Sequence, residues 1–107
     1  MDYYTFSTEG KAYGPLVRTS TDAAQALPAA VINWVDGQLA IAVTITCETN
    51  PVRYSFGVVP TQVGVGHILY PGSALRICNS KAIKDFLYIS LTAQTAGVLQ
   101  ITGEYEL

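Results

Sequence analysis

This chain is short of charge. Half of its 107 residues are hydrophobic and only 13% are charged, where soluble domains carry roughly 25% charged residues. Its cations, Lys11, Arg18, Arg53, Arg76, Lys81 and Lys84, are dispersed, and the net charge is −2. Nucleic-acid binders cluster their cations to displace phosphate counterions. The electrostatic basis for that class is missing, and no nucleic-acid partner is expected. Histidine is nearly absent too. His67 stands alone in GVGHILY, and neither a G-x-S-x-G elbow nor a papain-like cysteine signature occurs. Hydrolase triads therefore lack their sequence marks. Cysteine appears twice, at Cys47 and Cys78, with no metal-type pairing at short spacing. Zinc usually takes three or four ligands, the acids form no D-x-D-x-D-G calcium loop, and Val63-Gly64-Val65-Gly66 lacks the spacing of a phosphate cradle. No metal or cofactor is expected. No apolar run approaches the ~20 residues of a membrane-spanning helix. The opening MDYYTFSTEG has neither the basic nor the apolar region of a signal peptide. Both thiols are accordingly expected to be reduced and buried.

What the chain does have is β-formers and turns. Val, Ile, Thr, Tyr and Phe dominate, and turn punctuation recurs about every ten residues: Gly14-Pro15, Pro28, Asp36-Gly37, Asn50-Pro51, Pro71-Gly72, Asn79-Ser80, Gly97. Short strands at that spacing predict one all-β domain, a sandwich or barrel. Residues 39–48 alternate strictly. Leu39, Ile41, Val43, Ile45 and Cys47 share one face; Ala40, Ala42, Thr44, Thr46 and Glu48 share the other, small and neutral enough for another surface to approach. Asp36-Gly37 suits a hairpin turn, with residues 29–35 as the partner strand. Residues 86–91 carry apolar bulk on both faces, as a central strand would. Residues 98–105 alternate Leu99, Ile101 and Tyr105 against Gln100, Thr102 and Glu104, with one wet face. Residues 82–86 suggest a helical turn capped by Ser80. Residues 23–27 fit helix or strand equally.

The first 13 residues differ from the rest. They hold Tyr3, Tyr4, Phe6 and Tyr13 with no strand pattern, although terminal tails are normally polar. Two readings stand: an edge strand on its own domain, or an arm that docks on a neighbour through these four aromatics. The division is then an arm over 1–13 and a sandwich over 14–107. Tyr54, Phe56 and Tyr70, with Trp34, form either a core cluster or an aromatic platform for a sugar or peptide.

Residues 52–77, VRYSFGVVPTQVGVGHILYPGSALRI, read as strand, loop, strand, turn, strand. Arg53-Tyr54, Pro60-Thr61, Gly66-His67-Ile68-Leu69 and Pro71-Gly72 resemble a pattern of small structural proteins of tailed bacteriophage particles. The likeness extends over Ile83-Lys84-Asp85-Phe86 and the run from Leu99 to Tyr105. Two positions depart from it: Gly57-Val58-Val59 replaces an Asp-Gly before the loop, and Ser73 stands where Asp is common. The resemblance to capsid decoration (cement) proteins implies an antiparallel, jelly-roll-like β-sandwich. It also implies a virion protein, made in the host cytoplasm, that sits on the major capsid protein as a homo-oligomer, a trimer. From the residues themselves, with no catalytic set and no long apolar run, no enzymatic activity and no membrane partner are expected. A small carbohydrate- or peptide-binding module is the alternative.

Overall fold

A computed structural model describes residues 10–33 and 39–106. Its strands are β1 (Gly10–Thr19), β2 (Gln25–Ala26), β3 (Ala42–Glu48), β4 (Val52–Phe56), β5 (His67–Leu69), β6 (Ala74–Ile77), β7 (Phe86–Ser90) and β8 (Val98–Glu106). Two short helices join them, α1 (Ala29–Ile32) and α2 (Ser80–Asp85). The pairings nest: β1 with β8, β2 with β7, β3 with β6, β4 with β5, all antiparallel. The chain is thus one long hairpin rolled on itself. Two further antiparallel pairings, β3 with β8 and β4 with β7, complete the sheets β1-β8-β3-β6 and β2-β7-β4-β5. That is the all-β, antiparallel double-sheet sandwich expected, in the strand order of a jelly roll.

The inner faces make the core. Val43, Ile45 and Cys47 of β3, with Leu99, Ile101 and Tyr105 of β8, face Val52, Phe86, Tyr88 and Leu69 from the other sheet. Leu27, Val31, Ala40 and Ile83 close one end. The two ends of the sandwich differ. One carries the short connections 20–24, 49–51, 70–73 and 91–97; the other carries α1, α2, loop 57–66, and the start of β1 and end of β8.

The β1 edge is blunted. Tyr13 faces Gly103 and Leu16 faces Ile101, so Gly14 and Pro15 together oppose Thr102 in a bulge. A Cβ at Gly14 would stand 2.6 Å from the Ile101 carbonyl oxygen, and its φ of +134° suits only glycine. Pro15 offers no N–H, and the bulge bends the edge away from further pairing.

Several sequence expectations need correction. Residues 29–32 are helix α1, not a strand partner for β3. Val31 drops into the core, and its carbonyl accepts the Tyr105 hydroxyl. Asn33 and Leu39 form an isolated antiparallel bridge; Trp34 and Asp36-Gly37 between them lie outside the described residues. Residues 39–41 do not continue β3. A bend at Ile41 shifts the phase, leaving Leu39 45% and Ile41 37% exposed while Ala40 is buried. Main-chain bonds hold the bend: Ile41 N–H donates to Glu104 at 2.8 Å and Ala40 N–H to Ile32 at 2.9 Å. The α2 cap is Asn79, whose Oδ1 accepts the Ala82 N–H at 3.0 Å; the Ser80 hydroxyl instead donates to the Ala40 carbonyl at 2.8 Å. The outer face of β8 is not wet at Glu104, which is buried and ion-paired with Arg76. Residues 25–26 resolve as strand.

The phase shift has a measurable consequence. Ile45→Ala is expected to cost about 3 kcal/mol, as for a sealed aliphatic. Ile41→Ala should cost less than about 1 kcal/mol, as should Thr44→Ala. Urea unfolding compares them; equal losses at 41 and 45 would return residues 39–41 to the strand.

Candidate interaction surface

Register places five rings on the inner face of the second sheet. Tyr54 lies between Tyr88 and His67, and Phe56 is level with Phe86. The Tyr54 ring stacks on Phe86 at 5.5 Å and 24°, and Phe56 meets Phe86 edge-on at 5.6 Å. Tyr88 follows at 6.2 Å from Phe86, and His67 lies 5.5 Å from Tyr54. Offset and edge-on arrangements suit the ring quadrupoles. The ladder runs from core to surface: Phe86 and Tyr88 are sealed, Tyr54 is half-buried, Phe56 is 40% exposed and His67 is exposed. Its outer end opens at the helical end of the sandwich.

Loop 57–66, GVVPTQVGVG, starts there and carries no charged residue. It folds back over the outer face of the second sheet. Ser55, on that face, donates its hydroxyl to the Val58 carbonyl. Pro60 is fully buried, and Ile89 of the same face is buried. Gln62 Nε2 donates to Asp22 Oδ1 at 3.0 Å, and Arg53 Nη1 to the Gly66 carbonyl at 2.9 Å. Thr61 ties the tip: its Oγ1 accepts from Gly64 and Val65 N–H at 3.2 and 3.1 Å. Gly57 N–H donates to Asp85 at the end of α2. The loop is therefore pinned, yet it presents Val58, Val59, Val63 and Val65 to solvent, Val63 at 93%. Exposed apolar side chains grouped on one loop make this surface the candidate for contact with a partner.

The sequence candidates fall in different places. Tyr3, Tyr4 and Phe6 lie outside the described residues. Tyr13 belongs to β1, which begins at Gly10, so residues 10–13 are part of the sandwich edge and not of an arm. Tyr70 is exposed on the 70–73 connection at the opposite end, away from Tyr54 and Phe56. His67 opens β5 and is exposed. Phe86 joins the ladder without having been singled out; its signal was the apolar bulk on both faces of residues 86–91.

The thiols part company. Cys47 is buried and its Sγ donates to the Asn50 carbonyl at 3.2 Å, but Cys78 is exposed, against expectation, because β6 ends at Ile77. Val43 opposes Ile77, which sets Cys78 level with Ala42, five positions along the strand from Cys47. At ~3.3 Å per residue that is about 16 Å, too far for a disulfide. Burial raises the Cys47 pKa, and the Glu48 charge adds to it against a bond to the Val52 backbone. A thiol reagent is expected to label Cys78 at once in native protein and Cys47 only on unfolding. Rapid native labelling of both would contradict the burial of Cys47. His67 lies on the other sheet from Cys47. Among the described residues no group of three or more His, Cys, Asp or Glu stands close enough to hold a metal ion.

At the short-loop end an open hollow is lined by Ser20, Thr21, Asp22, Ser90, Gln94, Thr95 and Ala96. Its buried hydroxyls are committed. Ser20 and Ser90 bond each other at 2.7 Å, and Ser20 Oγ also accepts the Gly97 N–H. Asp22 Oδ1 accepts from Gln62 and Gln94. These groups tie loops together.

No protein-family model matches the chain, and neither a curated protein nor a solved structure matches it. Among the described residues no helix is long and apolar enough to cross a membrane.

Proposed function

We propose that this chain is a structural binding module that cements a bacteriophage capsid, seated on the major capsid protein as a trimer, with no enzymatic role. The observation that carries the reading is the pinned, charge-free loop 57–66 with its solvent-facing valines beside the half-exposed Phe56. The jelly-roll order supports it by analogy, since that architecture recurs in viral capsid and lectin domains. The quoted sequence resemblance points the same way. Each contact buries modest apolar area, and symmetry repeats it so that avidity adds.

A glycan- or peptide-binding module is the second reading, favoured by the open outer end of the Tyr54–Phe56 ladder. Titration onto undecorated capsids tests the first. Saturable binding and a raised capsid disassembly temperature are expected, both lost in a Val58→Asp/Val59→Asp variant. Glycan binding without capsid binding would replace the first reading with the second.

A further inference from the structure

We propose that Arg53 is the anion-receiving residue of the loop 57–66 surface, and that this surface takes a protein segment in which one carboxylate is flanked by apolar side chains. The proposal rests on loop 57–66 being the contact surface, as in the proposed function, and names what the partner brings to it. The first observation is where this cation lies. Arg53 stands on β4, which is paired on both sides, with β5 and β7. Its register partners are Ile68 on one side and the buried Ile89 on the other. Its stem packs against the Gly66 backbone, where a Cβ would stand 2.8 Å from Arg53 Cγ. The cation is thus set among isoleucines and beside a loop that carries no charge. Arginine is seldom enclosed in this way without an acidic partner.

The second observation is what the guanidinium lacks. Nη1 donates to the Gly66 carbonyl at 2.9 Å, but Nε is buried with no acceptor. Nη2 also finds no acceptor among the described residues, without being sealed as Nε is. No carboxylate answers the charge there. Among the described residues the ion pairs are Arg76 with Glu104 and Lys81 with Asp85. Asp22, which reaches the same loop, holds Gln62 and the Gln94 N–H instead. Much of a planar fork of donors is left unused. A partly buried cation with no counter-ion gains more from an incoming anion than a solvated one does.

The surroundings choose the anion. The fork matches a carboxylate or a phosphate group. Val58, Val59, Val63 and Val65 are exposed on the loop, and the loop itself holds no Lys or Arg. A polyanion would lay its further charges over these valines uncompensated. A protein segment with a single Asp or Glu among apolar residues meets the fork and the valines together.

Two measurements test the assignment. In the first, isotope-labelled protein is titrated with an end-capped Val-Glu-Val tripeptide while the Arg53 Nε–H resonance is followed, identified by its absence from Arg53→Lys. It should shift with Val-Glu-Val and hold still with Val-Gln-Val. No shift with the acidic peptide, or a shift with inorganic phosphate alone, would overturn the proposal. In the second, undecorated capsids are titrated with wild type, Arg53→Lys and Arg53→Gln at rising salt. Arg53→Gln should bind about tenfold more weakly, with Arg53→Lys between the two. Salt should weaken wild type more than Arg53→Gln. The urea midpoint of Arg53→Gln should not fall, because the variant removes an uncompensated charge. A residue that merely held the loop would lose stability and binding together, without the difference in salt dependence, and that result would also overturn the proposal. If wild type ignores capsids while the tripeptide still shifts Arg53, the capsid reading fails and the role of Arg53 stands.

Discussion

Phe86→Ala is expected to cost about 3–5 kcal/mol of folding stability, as for a sealed aromatic ring. Phe86 has no exposed surface and supports three other rings: Tyr54 stacked on it, Phe56 against its face, and Tyr88 beyond. Its loss opens a cavity where the two sheets and the helical end meet. It also removes the support under Phe56. Phe56→Ala, at a position 40% exposed, should cost only about 1–2 kcal/mol, since much of its surface is already in water. The more conservative Phe86→Leu keeps most of the volume and is expected to fold. In that variant capsid binding through loop 57–66 beside Phe56 should weaken more than the fold does. Urea unfolding and titration onto undecorated capsids, measured on the same samples, separate the two effects. A Phe86→Ala loss below about 1.5 kcal/mol would mean that the ladder is not sealed at its inner end.

Strand identity was legible where one face had to be buried and the other did not. The alternation over residues 98–105 placed Leu99, Ile101 and Tyr105 inward, and all three have no exposed surface. Bulk on both faces of residues 86–91 marked a central strand, and β7 is paired on both sides, with β2 and β4. Alternation failed at residues 39–41 because periodicity has no term for a bend. The chain there crosses the end of the sandwich, and its main-chain bonds to Glu104 and Ile32 decide the phase. Residues 29–35 read as a strand because Asp36-Gly37 suits a hairpin turn back from residues 39–48. Tertiary context overrode that reading: Pro28 opens α1 with φ −58°, and Val31 is buried in the core. The nested strand order lies beyond composition, since it depends on which distant segments pair.

The interaction surface was legible only in part. A glycine-rich loop between two strands was plain in residues 57–66. That the loop lies back over a sheet, with Pro60 inside and the valines outside, follows from its bonds to Ser55, Asp22 and Arg53. None of those partners is signalled by spacing. The aromatic platform of Tyr54, Phe56 and Tyr70 mixed two ends of the molecule, because facing in a sheet depends on register and not on nearness along the chain. The small, neutral outer face of β3 does exist, but an Arg76–Glu104 ion pair crosses it. That places an ion pair, with its Glu104 end buried and its Arg76 end exposed, on the surface the alternation read as merely small.

Tyr105 ties the sandwich to its helical end, and its removal should rank with that of Phe86. The side chain has no exposed surface. It leans over Gly103, where a Cβ would stand 2.3 Å from its hydroxyl, and that hydroxyl donates to the Val31 carbonyl. Tyr105→Ala is expected to cost about 3–5 kcal/mol. Tyr105→Phe keeps the ring but leaves the Val31 carbonyl without this donor, a loss of about 1–2 kcal/mol at neutral pH. Burial, with a smaller contribution from Tyr13, pushes the Tyr105 pKa from the ordinary 10.0 up to about 12. The folded state then holds a proton that the unfolded chain has released. Stability is fully present below pH 10, falls as the pH rises through the interval from 10 to about 12, and levels off above it. Two pKa units correspond to about 2–3 kcal/mol. Tyr88, raised in the same direction chiefly by its own burial, steepens the fall. Urea midpoints measured at intervals from pH 8 to pH 12 should therefore drop further for wild type than for Tyr105→Phe, and the two curves should converge at the alkaline end. Curves that stay parallel throughout would mean that Tyr105 ionises alike in both states, and that its hydroxyl is not sealed against water beneath α1.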